Sequence, residues 1–241
     1  MLTYLAILFA TLLLLSIFGR KAYLLGNIKA VKKVVDTKEK MVEKEVSKSD
    51  KVRSNSLCAR AIELMGKGKE QEAIKTFVQA LALNENHMET NHKLAILYLK
   101  KQMYGSASAL FQRLCLLNED AMHYSHLGLA LYHQSLLQEA KKAYQRSVEL
   151  DPEKAKRFIS LAQVYRRLGE IQNSIITVNK ALALECKNLD FMYLLADLYL
   201  EGENVEEGQA MMVKIGEIDP DSKVAKKMVK AFKELGQVKK G

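Results

Sequence analysis

From residue 54 to residue 222, apolar positions recur with the 3.6-residue spacing of helices, and the pattern itself recurs at a longer interval. Asp151-Pro152 and Asp219-Pro220 stand 68 positions apart, twice a 34-residue period. Dividing the chain as 54–87, 88–120, 121–154, 155–188 and 189–222 aligns five blocks, the second one residue short. The seventh position then holds Arg60, Leu94, Leu127, Leu161 and Leu195, and the eighth Ala61, Ala95, Gly128, Ala162 and Ala196. The eleventh holds Leu64, Tyr98, Leu131, Tyr165 and Tyr199, and the twentieth Ala73, Ala107, Ala140, Ser174 and Gly208. The twenty-fourth holds Phe77, Phe111, Tyr144, Val178 and Met212. Two further columns are Ala80, Leu114, Ser147, Ala181 and Ile215, then Leu83, Leu117, Leu150, Leu184 and Ile218.

Each block predicts two antiparallel helices. Small residues at the eighth and twentieth positions let the two backbones approach, and large ones fill the space beside them. One hairpin cannot cover its own apolar face, so hairpins stack. Residues 223–237, with Val224, Met228, Val229, Phe232 and Leu235, predict an amphipathic helix that caps the last hairpin and ends at Gly236.

These columns resemble the tetratricopeptide-repeat family, whose signature is a small residue at positions 8 and 20 and an aromatic at 24. The fourth position departs from the family's tryptophan, with Leu57, Asn91, Tyr124, Phe158 and Met192. The resemblance implies an all-α, right-handed solenoid of five helical hairpins plus a C-terminal capping helix. It also implies that the first helices line a concave groove for protein or peptide partners. The groove residues it implies are Ile62, Met65, His92, Ile96, Leu99, Leu129, Tyr132, His133, Gln163, Arg166, Tyr193 and Asp197, with Cys58, Lys156, Ile159, Arg167, Asp190, Leu200 and Glu201 beside them. That groove runs apolar, then basic, then acidic, which suits a segment with apolar anchors followed by an acidic group. The Lys/Asn clamp with which some members grip a carboxylate tail is missing, its positions holding Cys58, Ile62, Met122 and His126.

Ahead of the repeats, Leu2 to Phe18 carries no charged side chain. As a helix it would be about 26 Å long, at the short end of what spans a bilayer. With no basic residue before it and a poor cleavage site after it, residues 1–19 are expected to be a transmembrane anchor rather than a signal peptide. Arg20, Lys21, Lys29, Lys32 and Lys33 follow, which predicts a single-pass membrane protein with its N-terminus outside and its repeats in the cytoplasm, in a bacterial inner membrane. Residues 20–53 are expected to form a basic helical stalk, with a loop around Ser47–Asp50 and Ser54–Ser56 before the repeats.

Charge refines this. Residues 20–56 carry a net +6 and residues 223–241 another +6, while 57–222 carry −3. A nucleic-acid-binding fold would hold its basic patch on the folded surface, so nucleic acid is not an expected partner. The basic flank suits anionic lipid. Cys58, Cys115 and Cys186 are odd in number and far apart, which argues against a disulfide framework or zinc module. His123 and His126 share a helix without a converging carboxylate, and Gly66-Lys67-Gly68-Lys69 lacks phosphate-loop spacing. No catalytic residue, cofactor or metal is therefore expected. The function expected is a membrane-tethered adaptor or scaffold for assembly of membrane or envelope complexes. The alternatives are a self-assembling structural array, a homo-oligomer, or a mitochondrial outer-membrane import receptor.

Overall fold

A computed structural model describes residues 46–238. Among them are eleven helices and no strand. They are α1 (Lys48–Gly66), α2 (Glu70–Leu83), α3 (Met88–Lys100), α4 (Tyr104–Leu117), α5 (Ala121–His133) and α6 (Leu137–Leu150). The chain continues with α7 (Ala155–Arg167), α8 (Ile171–Leu184), α9 (Leu189–Glu201), α10 (Val205–Ile218) and α11 (Lys223–Val238). Pairs α1–α2 through α9–α10 are five hairpins, each packed on the next, and α11 packs on α10.

One turn geometry repeats in all five hairpins. The fifteenth residue has a positive φ: Gly68 +73°, Gln102 +58°, Ser135 +61°, Gly169 +74° and Glu203 +55°. The next amide then reaches back across the end of the first helix, as in Lys69 N–H to Leu64 C=O at 2.9 Å and Met103 N–H to Tyr98 C=O at 2.8 Å. Leu136, Glu170 and Asn204 donate in the same way to Leu131, Tyr165 and Tyr199. This is the Schellman closure, which satisfies carbonyls that a helix end leaves orphaned. The first helices start on side-chain caps where one is available. Ser47 accepts from Asp50 N–H, His87 from Thr90, Asp120 from Met122 and Asn188 from Phe191.

The core follows the small and large columns. Ala61, Ala73, Phe77 and Ala80 are fully buried in the first hairpin, as are Ala95, Ala107, Phe111 and Leu114 in the second. Gly128 sits where Tyr144 leaves no room: a Cβ there would lie 2.8 Å from the ring. Position 27 also locks hairpins internally. Ser147 Oγ donates to Ala121 C=O at 2.6 Å, and conversely Ser54 Oγ of position 1 donates to the carbonyl of Ala80 at 3.0 Å. The last apolar column behaves differently. It falls in the final turn of each second helix, at the rim of the stack, so Leu83, Leu117 and Leu150 are half-buried and Leu184 and Ile218 are exposed.

Three expectations change. The expected single-pass membrane protein with cytoplasmic repeats is not upheld: among the described residues no helix is long and apolar enough to cross a membrane. The apolar run 2–18, its bilayer and lipid contacts, and most of the stalk lie outside the described residues. The loop expected around residues 47–56 is helix instead, because Ser47 caps α1 through Asp50 and the helix then runs unbroken. Finally, α11 passes through Gly236 rather than stopping there. A Cβ at Gly236 would lie 3.3 Å from Val205 Cγ1, so this glycine serves close packing against α10.

Candidate protein-binding groove

The first helices α1, α3, α5, α7 and α9 carry every residue in the expected groove. Their apolar members are half-sunk into the seams between hairpins. Ile62 and Met65 pack against the Cys58–Phe77 core, and Ile96 and Leu99 against the Phe111–Leu127 core. Tyr132 packs on the Leu161–Val164 cluster and Tyr193 on the Leu195–Phe232 cluster. Leu129 is the most open apolar member, with 36% of its surface exposed. His133, Gln163 and Asp197 are exposed; Cys58 is buried. The apolar strip over the first three hairpins is thus partly committed to the fold and partly left uncovered.

The charged part differs from the sequence expectation. Arg166 is not free to meet an acidic ligand: its guanidinium forks onto the Glu201 carboxylate, with Nε to Oε1 at 2.9 Å and to Oε2 at 3.0 Å. That pair raises the Arg166 pKa further. Arg167 lies over the Tyr132 ring at 4.5 Å and donates to Tyr132 C=O at 3.2 Å. Basic and acidic groups of adjacent first helices therefore neutralise each other. Asp197 beside them is pushed up by desolvation and by Glu201, against the pull of Arg166.

Histidines gather at the seam between the second and third hairpins. The His92 ring centroid lies 5.7 Å from that of His123 and 6.4 Å from that of His126. Phe111 of α4 stacks on His126 at 5.1 Å and meets His92 edge-on at 6.4 Å. Sequence pattern alone joins His123 to His126. It misses His92, because the third partner comes from the preceding first helix, 31 residues before His123. Among the described residues no group of three histidine, cysteine or carboxylate side chains is placed to hold a metal ion. Burial pushes the Cys58 thiol up and the Cys115 thiol up to about 12, so neither is a thiolate at neutral pH.

Two clefts are lined by none of the expected groove residues. One of about 360 Å³ sits where α4, α5 and α6 meet, floored by Tyr124, Leu127 and Leu131. Another of about 310 Å³ lies between α10 and α11, lined by Met212, Val213 and Val229. Neither was legible in sequence, since each needs the packing of separate helices.

The family described as tetratricopeptide repeat matches residues 92–155 in one form, and 54–87 and 155–186 in another. Over 130 residues the chain is 27% identical to the BBSome complex member BBS4 of Bos taurus, a match covering 54% of this chain and 25% of that protein. The chain spans a quarter or less of the length of the curated relatives it matches. Among solved structures it is similar to YrrB, described as a TPR protein with an unusual peptide-binding site. There the TM-score is 0.62 at 21% identity, over 70% of this chain and 88% of that one. It is also similar to MamA, with a TM-score of 0.65 at 22% identity, over 68% of this chain and 90% of that one. At such identities these structures speak for the fold alone. The family matches lie on the hairpins that the structure shows, and together they take in more than half of the sequence: the chain belongs to the tetratricopeptide-repeat family.

Proposed function

We propose that this protein is a scaffold or adaptor that binds a protein segment along its first-helix layer, with the anchor points in the first three hairpins. The observation that carries this is the partly exposed apolar strip of Ile62, Met65, Ile96, Leu99, Leu129 and Tyr132 on α1, α3 and α5. Apolar side chains held half-exposed on a rigid layer are what an amphipathic helix or extended peptide needs for anchoring. The peptide-binding site of YrrB, a protein of the same fold, supports the same reading. The Arg166–Glu201 and Arg167–Tyr132 pairs shift the ligand chemistry. With those guanidiniums already engaged, the partner's anchors are apolar, and an acidic group adds little.

The test compares wild-type protein with an Ile96→Asp/Tyr132→Ala double variant in pull-downs from the native host, followed by titration of the captured partner. Placing a charge in the strip and removing an aromatic anchor is expected to weaken binding at least about a hundredfold. Recovery of the same partners at the same affinity by both proteins would refute the assignment of this surface.

A further inference from the structure

Three imidazoles share one seam, from two different hairpins, and their inner nitrogens meet no partner. His92 Nε2, His123 Nδ1 and His126 Nδ1 are all buried without a hydrogen bond. His123 as a whole is only 6% exposed. A neutral imidazole can turn its unprotonated nitrogen toward such a spot, where an unused lone pair costs comparatively little. A protonated one cannot: both nitrogens become donors, and the ring gains a charge. We propose that the His92–His123–His126 cluster makes the junction between the second and third hairpins acid-sensitive, so that protonation loosens α3 against α5 while the rest of the array holds.

The surroundings give protonation little relief. On α3 the charged neighbour of His92 is Lys93, which opposes a second positive charge, and across the seam Asp120 at the start of α5 favours one. On α5 the Met122 carbonyl favours a charged His126. From α4 come Phe111 and Cys115, the latter neutral throughout this range. The Phe111 face can attract a cationic His126. Against these stand burial and the other imidazoles, which outweigh them: burial and His123 hold His92 below the ordinary 6.5, and burial and His92 hold His126 below it.

The sign is therefore fixed. A base with a depressed pKa in the fold binds its proton more readily once the seam opens. Stability is complete above 6.5 and is lost as pH falls through and below it. Carboxylates depressed by the fold, namely Glu63, Glu70, Glu170 and Asp151, withdraw their contribution only below their ordinary 4.5 or 3.8. Asp197 acts in the opposite sense and sits in the fifth hairpin. Between pH 6.5 and 5 these carboxylates are silent, and His87, whose ring nitrogen accepts from Thr90 N–H at the start of α3, is kept in the variant below so that its effect is read separately. The inference is independent of whether the first-helix layer binds a partner.

The experiment is hydrogen exchange of the whole protein at pH 7.5 and 5.0, corrected for the intrinsic pH dependence of exchange. Segments from α3 to α5 are expected to open about tenfold or more at pH 5.0, while α7 to α10 change little. A His92→Leu/His126→Phe variant removes two of the charges and keeps apolar bulk, and is expected to lose that response. Imidazole resonances of the wild-type protein supply a measurement that needs no variant, with His92 and His126 expected to titrate below 6.5. Unchanged exchange in α3–α5, opening spread evenly over all five hairpins, a variant that keeps the response, or titration of His92 and His126 at or above 6.5 would each overturn the proposal.

Discussion

At the fifteenth position of each hairpin the backbone turns left-handed, and the side chain there decides what that costs. Gly68 and Gly169 adopt it freely, whereas Gln102, Ser135 and Glu203 bring a Cβ against the neighbouring carbonyl. Gln102→Gly is accordingly expected to raise the unfolding free energy by about 0.5–1 kcal/mol, measured by urea denaturation. The reverse logic holds at Gly128. A methyl there collides with the Tyr144 ring at 2.8–2.9 Å, so Gly128→Ala is expected to lower stability by about 1–3 kcal/mol in the same assay. These two sites differ in how legible they were. Gly128 fell into a column of small residues at a fixed period and announced its role. The turn did not, because only two of its five residues are glycine, and a left-handed Gln or Ser has no compositional mark. The histidine seam stayed hidden for a related reason: its members occupy unlike positions of successive repeats.

Each helix depends on one apolar face, and that is why the helices were foreseeable while their ends were not. Periodicity placed α2 to α10 from the spacing of buried residues alone. It misjudged α1, where polar Ser49, Ser54 and Asn55 suggest a loop, yet Ser47 caps the start and Ser54 finds the Ala80 carbonyl. The groove charges were misjudged at the same scale. Arg166 and Glu201 are 35 residues apart, and only side-by-side packing of α7 and α9 shows them spending their charge on each other. The terminal helix gives the sharpest element-level test. Phe232 of α11 is fully buried, and a Cβ on Gly208 would fall 1.9 Å from its ring. Gly208→Ala is therefore expected to displace α11, with amides of α10 and α11 losing protection in hydrogen exchange while α1 and α2 keep theirs.

The whole molecule is a chain of neighbours. Each hairpin packs on the ones before and after it, so long-range order is built from short-range seams. Ion pairs cross those seams, as in Lys101 with Glu70 at 2.6 Å, Arg113 with Glu85 at 3.0 Å and Lys141 with Glu170 at 2.9 Å. They are exposed or partly so, and surface pairs of this kind contribute about 0–1 kcal/mol each, so the alanine and aromatic columns carry the stacking. This explains why the repeat fold was legible from one sequence: the stabilising residues are the periodic ones. What was not legible depends on which groups meet across a seam.

Phe232 fills the notch beside Gly208 that a further hairpin would otherwise use. The array is thus plugged at this end by its own chain. Met228 and Ala225 join Phe232 in that core, so the last hairpin shares its interior with a single helix, the way an end unit seals a stack of repeats.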